Sequence, residues 1–146
     1  VGDPLPVVNT PTTADNRGVS PICTEKPACD LHSLDLADVV TNGRPTALLV
    51  STPAFCQTAV CGPVLDLVVE AAARYPDIDL IHAEVYANPE EVVTIAEATA
   101  APVIGAMGLT YEPALFVADG SGTTTSRLDL VFDAGELDDA LAAVSP

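Results

Sequence analysis

The chain has 146 residues, 49% hydrophobic and 4% aromatic, with no Trp. That length fits one domain whose core must be filled by Val, Leu, Ile and Ala, and which needs no disulfide framework to fold. The formal charge of −16, from 21 acidic and 5 basic residues, excludes nucleic acid and anionic membrane surfaces as partners.

The acids are scattered rather than clustered, as on a surface kept soluble by charge. No apolar run is long enough to span a bilayer, and no signal-peptide core is visible. The opening "VGDPLPVV", without Met, predicts a processed or trimmed N-terminus.

Residues 1 to about 30 contain Pro4, Pro6, Pro11, Pro21 and Pro27, a density that excludes a helix or a central strand. They predict an ordered extension laid over the domain and pinned by a Cys23–Cys29 disulfide. In "DLHSLDLADVVTNGRP", Ser33 or Asp35 caps a short helix through Val40, stopped by "TNG". "PTALLVS", residues 45–51, is an apolar run without alternation, the pattern of a strand buried on both faces. "GPVLDLVVEAAARYP" places Val64, Leu65, Val68, Val69 and Ala72 at helical spacing, with Pro63 in the first turn and Pro76 at the end. "DIDLIHAEVY", 77–86, reads as a strand. "NPEEVVTIAEATA" reads as a helix capped by Asn88, with Pro89 and acids in its first turn, and "APVIGAMGLTYEP" as a loop. "ALFVADGSGTTTSRLDLVF" is a β-hairpin around a Gly-rich turn, and "DAGELDDALAAV" a closing amphipathic helix.

The four cysteines fall into two local pairs, Cys23 with Cys29 and Cys56 with Cys61. Such pairing suggests an oxidising compartment, while the cysteine count alone leaves the connectivity open. Cys56 and Cys61 sit in "STPAFCQTAVCGP", between the first core strand and the helix that follows. A cysteine at a helix N-terminus faces unpaired N–H groups and the positive end of the dipole, which favour its thiolate. The carboxylate of Glu112 opposes that effect if it faces the same sulfur.

This order of elements, with a cysteine pair after the first core strand and a proline before the hairpin, resembles the thioredoxin fold. "TALLVSTPAFC" resembles the strand-to-active-site run of that superfamily, with Phe55 as the aromatic before the first cysteine. "TYEPALFVADGSG" resembles the segment carrying its cis-proline, at Pro113. "HSLDLADVVTNGRPTALLV" resembles the lead-in of exported TlpA-like thiol-disulfide oxidoreductases. The resemblance implies an α/β fold: a thioredoxin-like three-layer α/β/α sandwich over residues 33–146, with a mixed sheet of about four to five strands and an irregular extension at 1–32. It implies thiol-disulfide exchange with protein thiols or disulfides, Cys56 attacking and Cys61 resolving, with Phe55, Tyr111, Glu112 and Pro113 lining the substrate groove. It further implies no cofactor, a monomer, and an extracytoplasmic location, with any membrane tether lying outside this sequence. Two departures stand out: the superfamily pair is C-x-x-C whereas this one is C-x4-C, and the buried acid of thioredoxin is replaced by Val50.

On one continuous helix, residues five apart have Cα atoms about 8.6 Å apart. A disulfide tolerates about 4.4 to 6.8 Å. Either Cys56 therefore lies in a loop, with residues 57–59 folding back, or oxidation unwinds a helical turn. The competing reading is a redox-inert binding module in which both pairs are permanent staples. A peroxiredoxin-like peroxidase is disfavoured by Leu49 and Pro53, which stand where that pattern needs Pro and Thr or Ser. No metal is expected, since neither pair has zinc-knuckle spacing and His82, within a strand, reads as a packing residue.

Overall fold

The computed structural model describes residues 1–56 and 58–146. These form, in order, α1 (Leu36–Val39), β1 (Thr46–Val50), α2 (Cys61–Arg74), β2 (Asp79–Ala83), a 3₁₀ turn (Ile95–Glu97), α3 (Pro102–Met107), β3 (Ala114–Ala118), β4 (Thr124–Asp129) and α4 (Ala134–Ala142). β1, β2 and β3 are buried at every position: β3 is wholly apolar and β1 apolar after Thr46, as strands covered on both faces require, while β2 also buries Asp79 and His82. The sheet runs β2-β1-β3-β4, with β2 parallel to β1 and the β3–β4 hairpin antiparallel.

Alternation along the strands divides the core between the two faces. Ala47, Leu49, Leu80, Leu115 and Val117 pack against Val64, Leu65 and Val68 of α2 and Leu137 and Leu141 of α4. Leu48, Val50, Ile81, Ala83, Ala114 and Phe116 pack against Leu36 of α1 and Val103 of α3. The result is a mixed four-stranded sheet between two helical layers.

The proline-rich extension is part of this packing. Gly2 and Leu5 donate backbone hydrogen bonds to Thr124 and Gly122 at the hairpin, and Leu5 and Val19 are buried in the second core. Each such side chain contributes roughly 1.5–3 kcal/mol when fully buried. Farther along, the His82 N–H of β2 donates to the Leu31 carbonyl, so the end of the extension lies along the free edge of β2.

One expected helix lies elsewhere. Residues 88–100 form an irregular loop containing only the 3₁₀ turn, and the helix falls at Pro102–Met107, where a loop was expected. The loop ends are pinned instead: Ala87 N–H donates to Thr99 O, Thr99 N–H donates to Asn88 Oδ1, and Tyr86 bridges Ala100. Asn88 thus closes a loop rather than capping a helix, and Val93 points into solvent, 95% exposed. Pro102 occupies the first turn of α3, and Gly108, at φ 63°, ends it in the left-handed conformation.

Candidate active site

The C-terminal ends of β1 and β2 and the start of β3 meet at one edge of the sheet. Val50 pairs with Ala83 and with Ala114, which sets Ser51 beside Glu84 and opposite Pro113. From Ser51 the chain turns through residues 53–55 to Cys56, and α2 begins at Cys61. Cys56 and Cys61 are bonded to each other, with Cα atoms 6.1 Å apart. Of the two arrangements the spacing allowed, Cys56 takes the loop; Gln57, within the expected fold-back, lies outside the described residues.

The two sulfurs sit differently. Cys61 opens α2 and is 1% exposed, whereas Cys56 lies half-buried in the preceding loop. Among the described residues no side chain caps α2 at Val60, and Pro63 has no N–H, so the positive end of a 14-residue helix faces the disulfide through few donors. Phe55 is half-buried beside Cys56. The Glu112–Pro113 peptide bond is cis. Glu112 is buried and Tyr111 is 40% exposed, and both line a cleft of about 170 Å³ with Val85, Tyr86, Ile104 and Leu109. Arg127 donates to the Tyr111 hydroxyl at 3.0 Å.

A buried acid is present at the end of β2 rather than at Val50 of β1. Glu84 is 2% exposed, and its Oε1 accepts from the Thr24 N–H at 2.6 Å and the Thr24 hydroxyl at 2.8 Å. The Thr24 hydroxyl accepts in turn from the Ala54 N–H, so Glu84 anchors the loop that leads to Cys56. Burial pushes the Glu84 carboxyl above its usual range, against the hydrogen bonds from Thr24 and the attraction of His82.

The other cysteine pair departs from expectation. Cys23 and Cys29 are free thiols with sulfurs 3.7 Å apart, a non-bonded contact, so the expected staple is not formed in this structure. Their neighbours explain the arrangement. His32 Nε2 lies 3.2 Å from Cys29 Sγ, and His82 Nδ1 lies 3.6 Å from Cys29 Sγ and 3.8 Å from Cys23 Sγ. The two imidazole nitrogens are themselves 3.2 Å apart. The contact with Cys29, aided by the imidazoles, holds the Cys23 thiol far below its usual range, whereas the same contact and burial push Cys29 up. These four residues are also the donor set able to hold a metal ion, with all ligand atoms within 4.8 Å of one another. Sequence spacing missed the set because His82 comes from β2, although Cys29-x-x-His32 is itself a knuckle-like spacing.

No family model and no curated protein matches the chain. Solved structures do. The chain is similar to a thiol:disulfide interchange protein of the thioredoxin family from Chlorobium tepidum, at 14% identity over 99% of this chain and 97% of that one, with a TM-score of 0.64. It is similar to a secreted Mycobacterium tuberculosis disulfide oxidoreductase homologous to E. coli DsbE, at 14% identity over 94% and 96%, with a TM-score of 0.61. The exposed lipoprotein thioredoxin Etrx1 of Streptococcus pneumoniae shares 13% identity over 75% and 90%, with a TM-score of 0.53. The fold is thioredoxin-like.

Proposed function

We propose that this thioredoxin-fold chain is a thiol-disulfide oxidoreductase acting on protein cysteines through Cys56 and Cys61. The observation that carries the reading is their disulfide, placed between the end of β1 and the first turn of α2 with only Cys56 open to solvent. In the reducing direction the Cys56 thiolate attacks one sulfur of a substrate disulfide, forming a mixed disulfide and expelling the other substrate sulfur as a thiolate. The Cys61 thiolate then attacks Cys56 Sγ, closing the internal disulfide and releasing the second substrate thiolate. Two electrons pass to the substrate; the reverse sequence oxidises a dithiol.

Phe55, Tyr111, Glu112 and Pro113 are assigned to the substrate groove. The strand register supports this, since it places Pro113 opposite Ser51 at the cysteine end of the sheet. An extracytoplasmic location belongs to the same reading, because a disulfide persists where the surroundings are oxidising.

Thiol trapping across a glutathione redox series, with Cys56–Cys61 followed separately from Cys23 and Cys29, tests the proposal. The expected result is a two-electron titration at roughly −300 to −100 mV. Resistance of Cys56–Cys61 to reduction until the protein unfolds would instead make the domain a stapled binding module.

A further inference from the structure

We infer that Cys23, Cys29, His32 and His82 form a closed tetrahedral zinc site that fastens the N-terminal segment to β2. The inference does not rest on the redox reading of Cys56 and Cys61.

The argument is geometric. In a tetrahedron with Zn–S of about 2.3 Å and Zn–N of about 2.05 Å, sulfurs stand about 3.8 Å apart, sulfur and nitrogen about 3.6 Å, and nitrogens about 3.3 Å. The five corresponding edges here are 3.7 Å for the sulfurs, 3.2, 3.6 and 3.8 Å for sulfur to nitrogen, and 3.2 Å for the nitrogens. The sixth, Cys23 to His32, is within 4.8 Å. Four donors on three separate stretches of chain thus converge on one point at the spacing of a coordination sphere.

The chemistry agrees with the geometry. Two thiolates and two neutral imidazoles suit a borderline-soft d¹⁰ cation, and the two thiolate charges neutralise a divalent ion in a buried setting. Binding replaces the two thiol protons, which leave to solvent. His82 is held for this role: its Nε2 lies 2.9 Å from the Ser51 hydroxyl and 3.2 Å from the Ser51 carbonyl. With Nε2–H donating there, Nδ1 presents its lone pair to the sulfurs. Cys23 is 7% exposed, His32 3% and His82 0%, so protein ligands fill the sphere and the site is structural rather than catalytic. Cys29 is less buried and lines a cavity of about 310 Å³ with Glu25, Asp30 and Asp66 and a single basic residue, Lys26, which gives a cation a net acidic approach.

The full chain is purified under a thiol reductant, supplied with one equivalent of zinc, desalted and weighed by native mass spectrometry. One zinc per chain is expected. Cobalt(II) in its place should give the visible bands of a tetrahedral ion together with a thiolate charge-transfer band. Cys29→Ser should weaken zinc binding at least tenfold, whereas the Cys56→Ser/Cys61→Ser double variant should keep the full stoichiometry. The proposal is overturned if the folded wild-type chain holds no zinc. It is equally overturned if zinc follows Cys56 and Cys61, or if Cys23 and Cys29 close into a disulfide while zinc and reductant are present. Failure of the redox titration would leave this result untouched.

Discussion

Cys61 is enclosed at the first turn of α2, and a substrate sulfur can reach only Cys56 without opening the helix. In the exchange proposed above, that difference would set the order of the two steps. Removing the resolving thiol should stall the reaction at the mixed disulfide, so Cys61→Ser should accumulate a covalent adduct with a peptide disulfide. Cys56→Ser should form little or none. Intact-mass measurement under non-reducing conditions decides, and equal capture by both variants contradicts the assigned order. At this scale the sequence was informative where the relevant residues are contiguous. Phe55, Cys56 and Cys61 fall within one short run, and Pro113 immediately precedes an apolar strand. Glu84 and His82 were not legible, because their roles depend on Thr24, Ser51 and Cys29, which reach them only through the fold.

The β3–β4 hairpin shows how a local sequence can define an element without defining its surroundings. "DGSG" signals a turn, and Asp119 performs the closure: its Oδ1 accepts from the Ser121 hydroxyl at 2.6 Å, the Ser121 N–H at 2.9 Å and the Thr123 N–H at 3.1 Å. What the dipeptides do not signal is that the turn presses on the end of α1, where a Cβ on Gly122 would lie 2.8 Å from the Val40 carbonyl oxygen. The Ser121 hydroxyl, then the backbone N–H groups, hold the Asp119 carboxyl below its usual range. A depressed folded-state value means that its contribution is present above the unfolded value of about 3.9 and is lost as pH falls through the folded one. Asp119→Ala should therefore lower the urea midpoint at pH 7, and the gap to wild type should narrow in acid. A gap that stays constant with pH would remove the carboxylate from the account. The misplaced helix over 88–100 has the opposite lesson. Asn88-Pro89 and the acids after it form a good start signal, but no apolar stripe follows to dock it, and tertiary pinning at Tyr86 and Ala100 prevails.

Across the whole molecule, the first thirty-odd residues decide how much of the chain acts as one unit. Their prolines announced the absence of regular structure, but not where the segment goes. It pairs with the hairpin at Gly2 and Leu5, and Leu31 lies against β2 at the other end of the sheet. Between these ends the extension and α1 cap each other. Thr10 Oγ1 accepts from the Leu36 N–H at 2.9 Å, while Asp35 Oδ1 accepts from the Ala37 N–H at 3.0 Å and from the Thr10 N–H at 2.9 Å. Asp35 Oδ2 takes the Arg17 guanidinium at 2.9 Å, and the Asp35 side chain is only 5% exposed. Removing that carboxylate takes away a helix cap and orphans a buried N–H at Thr10. Asp35→Ala should therefore cost about 2–4 kcal/mol, the sum of a lost cap and an unsatisfied buried donor. Asp38→Ala, exposed on the same short helix, should stay within about 0.5 kcal/mol of wild type. Urea unfolding of both variants measures the difference. A loss at Asp35 no larger than the roughly 0.5–2 kcal/mol of a cap alone would mean that the extension merely lies against the domain, whereas a larger loss would tie residues 1–32 to the folding of the sheet.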